Sequence, residues 1–146
     1  MLTLILPLIV FGAQGLLLIM DEFVFHYRRE VPRWERIGHP LDTLTVLIPL
    51  VITVFLPAEN PWIATFITLG IFSCLFIAKD EWVHARLCSG GEQWLHALLF
   101  VLHPLLFIAA WVLWKSGETG WLAGQMILTA TFMIYQTVYW NYIHAS

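Results

Sequence analysis

Residues 94–114 read WLHALLFVLHPLLFIAAWVLW, an apolar stretch that contains two histidines and no permanently charged residue. A transmembrane helix needs about 20 mainly apolar residues to cross a hydrocarbon core about 30 Å thick. Four further segments of this kind lie along the chain: Leu2–Met20, Leu41–Leu56, Trp62–Ala78 and Trp121–Trp140. The sequence therefore predicts an all-α integral membrane protein, a bundle of five transmembrane helices.

The composition supports the same class of protein. Hydrophobic residues make up 60% of the 146 residues and charged residues only 12%, whereas an ordinary soluble domain carries about 25% charged residues. The first apolar segment lacks a basic leading region, and the acidic pair Asp21-Glu22 stands where a signal peptide would have small residues for cleavage. We therefore expect this segment to be a retained helix.

A short cassette of charged residues and histidines occurs twice, each time between two apolar segments. The first copy contains Asp21, Glu22, His26, Arg28, Glu35 and His39, and the second contains Asp80, Glu81, His84, Arg86, Glu92 and His96. In both copies His-x-Arg is followed by Glu-x-x-x-His. The repeat predicts a single membrane domain with two duplicated helical hairpins, over residues 1–57 and 61–115, and a fifth helix over 119–143.

Basic residues predict the orientation in the membrane. Two connections carry most of them, namely Arg28, Arg29, Arg33 and Arg36 after the first segment and Lys79 and Arg86 after the third, whereas Lys115 stands alone on the other side. The positive-inside rule places both cassettes in the cytoplasm and the N-terminus outside. We expect the inner membrane of a bacterium. The sequence has no basic tail or patch suited to nucleic acid, so we expect no nucleic-acid partner.

The helix ends near the cassettes have sequence signals of their own. Ser89 and Glu92 have the spacing of a capping box, which predicts that the fourth transmembrane helix begins there. Pro32 and Pro40 both suit the first turn of a helix. They predict a short interfacial helix that ends before the second transmembrane helix begins near His39.

Acidic residues and histidines in the cassettes have the spacing of metal ligands on helices. Residues three or four apart share one helix face, and each of four helix ends carries at least one such acid–histidine pair. The predicted ligands are Glu22, His26, His39, Asp80, Glu81, His84, Glu92 and His96. Carboxylates and imidazoles together suit iron, manganese or zinc, and dimetal carboxylate proteins build their sites from such pairs on facing helices. We expect two iron ions, with zinc or manganese as alternatives and haem as a less favoured one.

Other polar residues have supporting roles in this hypothesis. The candidates for outer partners or additional ligands are Asp21, Glu35, Asp42, His103, Tyr139 and His144, and Arg28 and Arg86 would bind an anionic headgroup or balance the acids. His103 lies two turns deeper than His96, where a hydrogen bond between helices is an equal alternative to a functional role. Trp140 is expected to anchor the helix at the membrane interface. Cys74 and Cys88 do not indicate a disulfide framework.

The leading functional hypothesis is a membrane-embedded, dinuclear iron oxidoreductase that acts on a lipid-soluble substrate from the bilayer. A zinc-dependent membrane hydrolase would use the same ligands. A metal-ion binding or transport protein, a haem b protein and a structural membrane subunit are further alternatives. Transport is disfavoured because the outer halves of the apolar segments offer few polar residues.

Overall fold

Six α-helices make up the regular structure of the chain in a computed structural model, which describes residues 2–28 and 31–144. They are α1 (Leu2–Met20), α2 (Arg33–Phe55), α3 (Trp62–Phe76), α4 (Glu81–Leu87), α5 (Gly90–Lys115) and α6 (Thr119–Val138). These described ranges contain no strand, so the predicted all-α class is confirmed.

Irregular helical turns extend three of these helices. α1 continues as a π-helical turn over Asp21–Phe25 and a 3₁₀ turn over His26–Arg28, and another π-helical turn, Tyr139–Ile143, follows α6. A 3₁₀ turn over Ile77–Asp80 joins α3 to α4. Turns of this kind are frequent at functional sites because they re-aim side chains. All four turns contain or adjoin cassette residues, and we call this end of the molecule the cassette end.

Four helical segments are long and apolar enough to cross a membrane: Leu4–Arg28, Arg33–Phe55, Trp62–Leu87 and Gly90–Lys115. The sequence predicts these four and a fifth. α6 stands at the position of the fifth but is not among the four by length and composition. It is less apolar because it contains Gln125, Gln136 and four threonines. Arg29, one of the arginines used for the orientation, lies outside the described residues.

The prediction of a separate interfacial helix before the second apolar segment is wrong. One continuous helix begins at Arg33, runs through the buried Gly38 and contains Pro40 in its interior. Proline has no N–H, so Pro40 leaves the carbonyl of Arg36 without its helical donor. The Asn141 side chain donates to this carbonyl at 3.0 Å. A partner on the segment after α6 therefore supports the uninterrupted helix.

Helix pairing brings the two halves of the chain together. α1 packs mainly against α5, and α2 packs against α6 and α3. Each helix of the first predicted hairpin thus contacts a helix of the second, so the two copies interlock. At the end opposite the cassettes, Leu50, Leu113 and Leu122 are completely buried, and Trp114 donates its indole N–H to the carbonyl of Leu56 at 2.9 Å.

Candidate metal centre

Most ionisable residues of the cassettes are buried together at the cassette end. Eight of them are no more than 5% exposed: Asp21, Glu22, His26, Glu35, Asp80, His84, Glu92 and His96. Charged groups are rarely buried unless they are paired or coordinate a metal, because removal from water is costly. The interlocking of α1 with α5 and of α2 with α3 explains how four separate helix ends reach one place.

The first group of potential ligands joins the end of α1 to the start of α5. Asp21, His26, Glu92 and His96 each offer a ligand atom, and these four atoms lie within 4.8 Å of one another. Asp21 Oδ1 is 3.0 Å from His96 Nε2, and Asp21 Oδ2 is 3.6 Å from His26 Nε2. One carboxylate therefore directs one oxygen to each histidine.

A second group lies between the end of α1 and α2. Glu22, His26 and His39 offer three ligand atoms within 4.8 Å of one another. Glu22 Oε2 is 3.6 Å from His26 Nδ1, and the rings of His26 and His39 are 4.8 Å apart between centroids. The two ring nitrogens of His26 thus face two different carboxylates. Because α2 is continuous, His39 reaches the cluster from a regular helix.

A third group joins α4 to α5. His84, Cys88 and His96 offer three ligand atoms within 4.8 Å of one another. The imidazoles of His84 and His96 stack with centroids 4.0 Å apart. Glu35 is completely buried and directs Oε1 to within 3.7 Å of His84 Nε2. His96 Nδ1 is buried with no hydrogen-bond partner among the described residues. This nitrogen could therefore act as a metal ligand.

Neighbouring side chains orient the carboxylates of these groups. The Trp140 indole N–H donates to Glu22, and its ring meets that of His26 edge-on at 6.2 Å. Trp140 is 3% exposed, so it is part of the site's support and does not lie free at an interface as the sequence suggests. The capping box at Ser89 is confirmed. Its Glu92 carboxylate accepts from the Ser89 N–H at 3.4 Å and also belongs to the first group.

Some predicted ligands lie away from these groups. Lys79 contacts Asp42 at 2.6 Å and Asp80 at 2.9 Å, so these two acids form an ion-pair cluster beside the histidines. Glu81 is exposed and belongs to none of the three groups. The structure thus brings together six of the eight predicted ligands: Glu22, His26, His39, His84, Glu92 and His96. Asp21, expected as an outer partner, lies among them.

The remaining candidates have contacts of other kinds. His103 Nε2 is 2.9 Å from Ser73 Oγ, and that hydroxyl is 2.7 Å from Thr45 Oγ1. This chain of contacts links α5, α3 and α2, as the helix-to-helix alternative for His103 predicts. His144 is exposed and stacks on Tyr139 at 5.6 Å, and Tyr139 meets Trp140 edge-on at 5.0 Å. Arg28 and Arg86 are exposed.

From the sequence, Cys88 is a conceivable thiolate ligand near the histidines, but it is left out of the predicted ligand set. It follows His84 by four residues, so both residues face the same side of a helix. The signal was present in the spacing, but a single cysteine in a connection is common without a function. Its place beside His84 and His96 depends on the turn between α4 and α5.

A cavity of about 860 Å³ leads from the cluster into the apolar half of the molecule. It lies between α1 and α6, with α2 and α5 behind, and His39, His84 and His96 line its cassette end. Small-molecule sites commonly have volumes of about 300–1,000 Å³. The cluster is therefore accessible from an apolar space of ligand size.

Comparison with known proteins finds no match for this chain among family models, curated proteins or solved structures.

Proposed function

We propose that this chain is a membrane-embedded, metal-dependent oxidoreductase with a dinuclear iron centre that acts on a lipid-soluble substrate. The observation that carries the proposal is the position of Asp21 between two groups of ligands. Glu22, His26 and His39 stand on the side of Asp21 Oδ2, and His84 and His96 stand on the side of Oδ1. A carboxylate between two imidazole-containing groups is typical of dimetal sites in helical proteins.

The proposed architecture is a bundle of five transmembrane helices in which α6 is the fifth. We place the cassette end in the cytoplasm and the N-terminus outside, in the inner membrane of a bacterium. The basic residues support this orientation, since all of them except Lys115 lie in or next to the two cassettes of the sequence. The duplicated hairpins explain why both copies of the cassette contribute to one centre.

Iron is the metal that the ligand types favour. The groups combine carboxylates with neutral imidazoles, which suit iron, manganese and zinc. Iron would supply oxidation of the substrate, with O₂ as the oxidant and an external electron donor. The chain's own residues bind and orient: Trp140 holds the Glu22 carboxylate, and the Ser89 N–H holds Glu92. Such outer partners fix the direction of a ligand's lone pair.

A zinc-dependent hydrolase is a second candidate because of Cys88. A thiolate beside two imidazoles, as in the group of His84, Cys88 and His96, is a softer ligand set that zinc binds well. In this alternative the centre holds one zinc ion, and the carboxylates of the first copy serve as outer partners or as a general base.

Metal analysis of the protein purified in a mild detergent separates these candidates. The oxidoreductase proposal predicts about two iron atoms per chain and a visible spectrum with no Soret band. One zinc ion that is lost in Cys88→Ser would favour the hydrolase instead. A Soret band would indicate haem, and a protein with neither metal nor chromophore would contradict both candidates.

Single substitutions then test whether both copies contribute. His26→Gln and His84→Gln should each lower the metal content by half or more. His144→Gln is the matched control, because His144 is exposed and belongs to no ligand group. If either of the first two variants retains all its metal while remaining folded, the shared dinuclear centre is wrong.

A further inference from the structure

The cavity at the cluster has the shape and position of a binding site for a chain molecule. Its walls include Phe11, Gly12 and Gly15 of α1 and Gly124, Leu128 and Phe132 of α6. Along α1 it runs from Leu8 to Asp21, a distance of about 20 Å at the rise of an α-helix. One leaflet of a bilayer is about 15 Å deep. The cavity is thus long enough for the extended tail of a membrane lipid.

Three glycines keep this space open between α1 and α6. A Cβ atom added to Gly12, Gly15 or Gly124 would meet no other heavy atom within 4 Å. By contrast, Gly70 of α3 lets a side chain of another helix lie close to its backbone. An added Cβ there would lie 3.4 Å from the Phe107 ring. The glycines of the cavity therefore do not serve helix contact. They leave room beside the backbone where α1 and α6 face each other.

Gln14 is a buried polar group in the wall of the cavity. It lines the cavity, it is 6% exposed, and its Oε1 is buried with no hydrogen-bond partner among the described residues. A buried amide oxygen without a donor is costly in an apolar environment. Gln14 precedes Asp21 by seven residues, so it lies about 10 Å from the cluster on the same side of the helix. A water molecule in the cavity would satisfy it, since a hydrocarbon chain offers no hydrogen-bond donor.

We propose that this cavity binds the single hydrocarbon chain of a membrane lipid, which enters sideways between α1 and α6 and directs its polar end to the acid–histidine cluster. The inference rests on the proposed function in one respect, since it names the substrate class of the same centre. The direction follows from polarity, because the cluster lines one end of the cavity and mostly apolar side chains line the rest, with polar exceptions that include Gln14, Gln125, Thr129, Thr131 and Gln136. A lipid in the adjacent leaflet already lies along the helices, so its chain enters without turning.

Photolabelling tests the proposal on the full chain in vesicles of phosphatidylethanolamine and phosphatidylglycerol. The probes are palmitic acid with a diazirine in its chain and a phosphatidylglycerol that carries the same chain, which distinguishes a free acid from an intact lipid. We expect one of them to label α1 and α6 at the cavity, and the corresponding unlabelled lipid to compete. Labelling spread evenly over the exposed faces, for example at Leu75 of α3, would overturn the proposal.

Cavity-filling variants make the test specific. Gly15→Leu and Gly124→Leu should each reduce labelling at the cavity about ten- to a hundredfold, the range expected for overpacking. Gly120→Leu is the matched control, because an added Cβ there also meets nothing within 4 Å and Gly120 does not line the cavity. Unchanged labelling in the first two variants would contradict the site, as would displacement by a long-chain isoprenoid quinone but not by palmitic acid.

Metal content measured on the same samples keeps the two proposals apart. Gly15→Leu and Gly124→Leu should retain the metal of the unaltered protein, because neither glycine belongs to a ligand group. Labelling at the cavity in a protein without metal would reject the metal centre and leave the lipid site standing. Bound metal without labelling at the cavity would reject the lipid site and leave the metal centre standing.

Discussion

The two ends of the molecule differ in what they bury. The end opposite the cassettes buries leucines and alanines around Leu113. It also buries Trp114, whose indole N–H donates a hydrogen bond to the carbonyl of Leu56. The cassette end buries five carboxylates, Asp21, Glu22, Glu35, Asp80 and Glu92, together with His26, His84 and His96. Apolar packing stabilises a helical protein directly, whereas buried ionisable groups cost stability unless something compensates them. The difference indicates that one end maintains the fold, whereas the other end carries groups that could hold a metal ion.

The largest effect on folding is expected from the apolar end. Leu113→Ala should lower the free energy of unfolding by about 2–5 kcal/mol, because Leu113 is completely buried and the substitution leaves a cavity. Reversible unfolding in detergent measures this, with the 39%-exposed Leu105→Ala on the same helix as control. The metal content of the folded fraction should not change. A loss of metal in folded Leu113→Ala would break the division between the two ends.

Asp21→Asn should have the largest effect on the metal. It removes the charge of the carboxylate that faces both His26 and His96, so the affinity for both metal ions should fall more than about a hundredfold, beyond the effect of losing an outer partner. Titration of the metal-free protein measures the affinity. The metal-free variant should be about as stable as the parent protein. Glu59→Gln, at an exposed acid, is the control, and loss of only one metal would argue against a bridge.

Trp140→Phe should have an intermediate effect. It removes the N–H that holds Glu22 but keeps an aromatic ring beside His26. The expected loss of metal affinity is about 10–100-fold. Trp82→Phe is the control because Trp82 is 77% exposed. An affinity equal to that of the parent would mean that Trp140 supports helix packing alone.

The smallest effect is expected from a substitution in the middle of the molecule, between the two ends. Ser73→Ala removes the hydroxyl that contacts His103 and Thr45. Hydrogen bonds between helices in membranes contribute about 0.6 kcal/mol on average, so the unfolding free energy should fall by about that amount, with no change in metal content. A marked loss of metal would show that the centre extends to His103.

Much of this structure follows from the sequence alone. The apolar segments predict the helices, and the cassettes predict which residues are buried together, from Glu22 and His26 to His84 and His96. The bounds of α2 were missed because two prolines suggested a break, whereas Asn141 supplies the partner that Pro40 removes. No sequence signal pairs α1 with α5, since helices that are apolar on most faces do not specify their neighbours. The same limit explains why Lys79, which binds Asp42 and Asp80, could not be assigned.

The four buried carboxylates that face the histidines have a consequence for charge balance. Fully ionised, Asp21, Glu22, Glu35 and Glu92 carry four negative charges in a region of low dielectric constant. Two divalent cations would cancel that charge and leave an electrically neutral interior with neutral imidazoles. Any further positive charge at the centre would need a compensating loss of protons or entry of an anion. If two metal ions bind here, electroneutrality would favour their doubly divalent state, and each electron removed would call for the loss of a proton or the entry of an anion.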